Sequence, residues 1–174
     1  MKRDLTKFSE DNLLIWIVAF ALMEFPMRYF FLNIVGGKNV SIWYNFKEFS
    51  VYNVIAGDLF YVLVGIIISY RIYKYLFKNE SNLIKFFIVF LVVQIIGDLL
   101  FYTVIKNYPK NYSNRWINFF KNYTKNAGLY ALFGDSLYIL IWTLVAVLIK
   151  DLNKDILYSI LFTFLFILSI IDES

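Results

Sequence analysis

Five apolar runs, each close to the length that crosses a lipid bilayer, constrain this 174-residue chain more than any other feature. A helix rising about 1.5 Å per residue needs about 20 apolar residues to cross the roughly 30 Å hydrocarbon layer. Runs 13–35, 51–73, 83–105 and 129–149 have that length. Run 156–171 falls slightly short, but Asp155 before it suits a helix N-cap and an interfacial turn can extend it. Composition agrees: 60% of residues are hydrophobic and 17% charged, where soluble domains run nearer half and a quarter. A soluble domain of this size could not hide so much apolar surface. The expected fold is all-α, an integral membrane bundle of about five transmembrane helices forming one membrane domain over residues 1–174. Pro26 lies inside the first run and predicts a kink, and Gly36-Gly37 ends that run. The first run reads as a retained helix rather than a cleaved signal. It is too long, it carries Glu24 and Arg28, and it lacks a small-x-small exit.

The residue inventory excludes several chemistries. Histidine and cysteine are both absent, which removes disulfides, thiolate nucleophiles, haem, histidine-based zinc sites and serine–histidine pairs. No phosphate-cradling glycine loop or cofactor fingerprint occurs, so no cofactor is expected. The net charge of +4 is spread over short connections and gives no nucleic-acid footprint. The partner implied instead is the bilayer itself, including anionic lipids, and a second copy of the chain fits the same setting. With five spans, nine basic residues fall on the N-terminal side and seven on the other, which favours a cytoplasmic N-terminus in a multi-pass protein.

The longest connection, Lys106 to Gly128, holds five basic residues and no acid. Ser113 can cap a helix over 114–126, and Gly128 can end it. Trp116, Phe119, Phe120 and Tyr123 would share one face of that helix. This pattern predicts an amphipathic helix lying in the interface, its aromatics at the acyl boundary. Lys110, Arg115, Lys121 and Lys125 would then face lipid headgroups.

The acids inside the runs carry the functional signal. A glycine–aspartate pair recurs three times, in Gly57-Asp58-Leu59-Phe60-Tyr61, Gly97-Asp98-Leu99-Leu100-Phe101-Tyr102 and Gly134-Asp135-Ser136-Leu137-Tyr138. An ionisable group in hydrocarbon costs at least a few kcal/mol, so such residues usually face the bundle interior or a water-filled cavity. Because alternate helices run in opposite directions, each aspartate lies roughly 10 Å below the same membrane face. Glu24 falls near mid-membrane, with Arg28 one turn closer to that face. Helical spacing aligns Gln94, Asp98 and Tyr102, while Tyr61 and Tyr138 lie one turn after Asp58 and Asp135. Each tyrosine is thus placed to give its hydroxyl to a carboxylate. The glycines leave room either for close helix approach or for an aromatic ring of another repeat. Four carboxylates and one guanidinium leave three uncompensated negative charges. Protons, an entering cation or lysines from the connection must offset them.

The segment Gly97 to Ile105 resembles the glycine–aspartate segment of presenilin-type intramembrane aspartyl proteases. It lacks that family's tyrosine–aspartate partner, has Ile95 where the family has glycine, and has no proline–alanine–leucine element. Gln94 through Tyr102, Pro109-Lys110, the Asn114-to-Gly128 segment and Asp135-Ser136-Leu137 together resemble small multi-pass membrane proteins of large DNA viruses of algae and protists. That resemblance implies an integral membrane protein and supplies no mechanism.

The leading functional expectation is a non-enzymatic membrane protein whose acidic cluster binds or conducts protons or cations. Glu24, Asp58, Asp98 and Asp135 would hold the ion, and Gln94 belongs to the same stripe. Arg28 would tune their charge, and Tyr61, Tyr102 and Tyr138 would orient them. The spacing leaves open whether a metal binds there; oxygen ligands alone would suit calcium or magnesium. A structural viral or organellar protein whose polar core only specifies helix packing is the alternative. An enzyme acting on lipid headgroups comes third.

Overall fold

The computed structural model describes residues 3–35, 50–78 and 80–172, with backbone alone at 110, 129, 171 and 172. All regular structure among the described residues is helical. Helix α1 spans Glu10–Phe30, α2 Val51–Phe77, α3 Leu83–Asn107, α4 Arg115–Ala127, α5 Leu129–Ile149 and α6 Lys154–Asp172. Short polar side chains start most of them by accepting an orphan amide. Ser9 accepts from Asn12 N, Ser50 from Asn53 N, and Asn82 from Lys85 N, at 3.1, 3.2 and 3.1 Å.

Several boundaries differ from expectation. Asn114, not Ser113, caps α4, its Oδ1 accepting from Ile117 N at 2.9 Å. Asn153, not Asp155, accepts from Ile156 N at 2.8 Å, which leaves Asp155 inside the first turn of α6. In both places an asparagine side-chain carbonyl takes the free N–H, one residue later than expected at α4 and two residues earlier at α6. Helix α1 continues through Pro26 to Phe30 and then widens into a π-helical turn, Phe31–Val35. Gly36-Gly37 lies outside the described residues.

Four helices among the described residues are long and apolar enough to cross a membrane: 10–35, 51–77, 83–107 and 130–149. The fifth expected span is the 19-residue α6, about 28 Å long at the helical rise. The helices pack in a closed ring, in the order α1, α5, α3, α2, α6 and back to α1, with α4 against α3.

The two ends of this ring are built differently. At the end holding the start of α1, the interior is filled with aromatic side chains. Trp16 and Trp142 pack edge to face at 5.2 Å, with Phe90 5.5 Å from Trp142 and Phe86 4.8 Å from Tyr70. Their polar atoms are all used internally. Trp16 Nε1 donates to Tyr70 Oη at 2.9 Å, Tyr70 Oη donates to the Leu5 carbonyl, and Trp142 Nε1 donates to the Trp16 carbonyl at 2.7 Å. The N-terminal segment closes this end, because Arg3 donates to the carbonyls of Lys150 and Leu152 at 2.9 and 2.6 Å.

Within that segment Asp4 accepts from the Thr6 hydroxyl at 2.7 Å and the Thr6 amide at 3.0 Å. Burial alone would push its carboxyl up, but the Thr6 bonds outweigh burial and hold it below the usual value of 3.8. A depressed folded value stabilises the fold above the ordinary carboxylate range and loses that contribution as pH falls through the lowered value. Thermal unfolding should therefore show wild type more stable than Asp4→Asn at neutral pH, with the gap closing in strong acid. A gap independent of pH would contradict this.

Candidate cation cavity

At the opposite end the ring opens into a cavity of about 770 Å³. Each of α1, α2, α3 and α5 contributes one acid to its wall: Glu24, Asp58, Asp98 and Asp135. No lysine or arginine is among the described lining residues. Antiparallel neighbours achieve this convergence. Asp58 and Asp135 sit two turns into helices that start at this end, and Asp98 sits a little over two turns before α3 finishes there. Glu24 lies deeper and is nearly fully buried.

Hydrogen bonding within the cluster runs between helices. Tyr61 of α2 donates to Asp98 Oδ1 of α3 at 2.8 Å, and Tyr138 of α5 donates to Glu24 of α1. Neither tyrosine serves the aspartate of its own repeat in these bonds. Gln94 supplies a second donor to Asp98 Oδ1 at 2.9 Å, one turn along the same helix. Asp98 Oδ2 is buried without a partner. Asp135 is half-buried on the cavity wall and forms neither a hydrogen bond nor an ion pair among the described residues. Compensation is therefore unequal: Glu24 and one oxygen of Asp98 have donors, and Asp135 has none.

The glycines of the three repeats do different things. A Cβ on Gly97 would lie 2.8 Å from Tyr61 Oη, so glycine is what lets the phenol cross to Asp98. Gly57 and Gly134 would meet nothing within 4 Å. Gly97→Ala should therefore break the Tyr61–Asp98 bond. A bond to a charged group contributes about 1.5–3 kcal/mol, and alanine recovers about 1 kcal/mol of helix propensity, leaving a net loss of about 1 kcal/mol. Gly57→Ala should stabilise slightly. Unfolding in detergent compares the two, and equal effects would contradict the role given to Gly97.

Helix α4 is the main departure from expectation. Its aromatic face turns towards the bundle, where Trp116, Phe119, Phe120 and Tyr123 line the cavity. Phe120 meets Phe101 of α3 edge to face at 5.0 Å. Burial and the charges of Asp135, Asp58 and Asp98 push the Tyr123 phenol well above its ordinary value, so its hydroxyl stays protonated. The sequence carried a signal for this placement. Gly128 alone separates α4 from α5, at φ 53°, and so short a link ties α4 to the bundle.

The basic residues of this connection divide. Arg115 and Lys125 are exposed. Lys121 is turned inward instead of towards headgroups, donating to the Tyr108 carbonyl at 2.8 Å and to Ser113 Oγ at 3.2 Å. The Lys110 side chain lies outside the described residues. Arg28 is half-buried and does not line the cavity, though its charge reaches Glu24. Tyr102 also stands apart from the main cavity. It lines a smaller space of about 230 Å³, which shares Asp98 and Asp135, and its ring faces Lys106 Nζ at 5.6 Å.

No three acids among the described residues come close enough to hold a metal ion together. The carboxylates are distributed around a wall and do not converge on a point. Such a wall can attract positive charge, orient it and neutralise it. No protein family, curated protein or solved structure matches this chain.

Proposed function

We propose that this chain is an integral membrane protein whose acidic cavity takes up protons or cations. One observation carries the reading: four carboxylates from four helices line one cavity, with no basic residue among its described lining residues. At low dielectric such a set cannot all remain ionised without protons or an entering cation. Entry is from the α4 end. The aromatic filling around Trp16, Phe90 and Trp142 shuts the other end, which favours a binding site over an open pore.

The competing reading, in which the acids only specify helix packing, accounts for Glu24 with Tyr138 and for Asp98 with Tyr61. It gives no role to Asp135, which has no donor. The test is uptake by the full chain, purified and reconstituted in liposomes. Wild type should bind protons or monovalent cations in a pH-dependent manner, and Asp98→Asn should fold normally yet lose most of that uptake. Wild-type uptake no greater than that of protein-free vesicles would overturn the reading.

A further inference from the structure

The size of the cavity and the chemistry of its wall narrow the class of cation. A volume of about 770 Å³ falls within the 300–1,000 Å³ of small-molecule sites. A bare metal ion would fill little of it, and no three acids gather to coordinate one. Between the acids, half of the described lining residues are aromatic. Trp116, Phe120 and Tyr123 come from α4, Phe101 from α3, and Tyr130 and Phe133 from α5. Aromatic faces attract large, weakly hydrated cations, most strongly where water is excluded.

We infer that the cavity binds a lipophilic protonated amine, its N–H pointed at Asp135 and its apolar substituents against the aromatic wall. This deepens the cation-uptake reading and rests on it. Three observations select that class. Asp135 faces the cavity with no donor of its own, which calls for an N–H and not only a diffuse positive charge. The buried, unpartnered Asp98 Oδ2 adds a second uncompensated charge on the same wall. No lysine or arginine appears among the described lining residues, so that wall offers no cation to hold a phosphate or carboxylate, which suits a free amine better than a zwitterionic lipid headgroup.

The probe is N-benzyldimethylamine, titrated calorimetrically against the full chain at constant ionic strength. Its quaternary analogue, benzyltrimethylammonium, and a phosphocholine lipid serve as competitors. Wild type should bind the amine saturably. Asp135→Asn should weaken binding at least tenfold, and Trp116→Leu about tenfold. The quaternary analogue should compete several-fold less well, and the phosphocholine lipid not at all.

Equal binding by Asp135→Asn would overturn the inference by making the site merely apolar. Displacement by the phosphocholine lipid at matching concentration would overturn it by assigning the site to a headgroup. No amine binding, with proton or alkali-cation uptake intact, would remove the amine and leave the broader reading standing. Loss of both would remove both.

Discussion

Trp142→Ala is expected to destabilise the protein by about 3–5 kcal/mol, the range found when a large buried aromatic is truncated. Trp142 has no exposed surface. It packs against Trp16, Phe90 and Phe20 at ring separations of 5.2, 5.5 and 6.2 Å. In a lipid setting the loss is chiefly one of dispersion contacts, because apolar side chains gain little from leaving lipid for protein. The position adds to the cost. Tyr138 and Ile139, about one turn away on α5, already line the cavity, so truncation would extend that space towards the closed end. Trp142→Phe keeps most of the packing and loses the bond to the Trp16 carbonyl, so about 1–2 kcal/mol is expected. Denaturant unfolding in a fixed detergent separates the two. Equal losses would show that the hydrogen bond, and not the filled volume, holds this end together.

Asp135→Asn should move stability the other way. Replacing a buried polar group usually costs stability because its partner is left unsatisfied, but Asp135 has no partner to strand. An amide at this position is neutral without taking up a proton or a cation, so a gain of about 1–3 kcal/mol is expected at neutral pH. Glu24→Gln should gain less, because Tyr138 already donates to that side chain. A stabilising substitution that removes cation uptake would mark Asp135 as kept for function at the expense of the fold. If Asp135→Asn destabilises, the carboxylate has a structural partner and the packing-only alternative gains.

The helices were legible in the sequence as apolar runs, and the alternating direction of neighbours then puts Asp58, Asp98 and Asp135 towards one end of the ring. Both are local quantities. Partnership is not local. Tyr61 reaches Asp98, and Tyr138 reaches Glu24, because the ring order places α2 beside α3 and α5 beside α1. No spacing within one helix encodes that order, so the sequence puts each tyrosine within reach of a carboxylate without saying which one. Tyr102 failed as an orienting residue for a related reason: two turns beyond Gln94, the stripe has left the main cavity. The spacing shows that the aromatics of α4 share one face, but amphipathicity alone does not say which apolar medium that face meets, and four of them line the cavity. Lys121 braces the connection through the Tyr108 carbonyl and Ser113 Oγ, contacts between residues that no helical spacing encodes.

Infrared spectroscopy of the carboxyl carbonyl stretch tests the central claim most directly. Without added cation, wild type at neutral pH should show a neutral carboxyl band that falls as a cation is titrated in and that Asp135→Asn diminishes. A spectrum with only ionised carboxylates, unchanged by cation, would mean that the four acids are already neutralised within the protein and that the cavity has no call for positive charge.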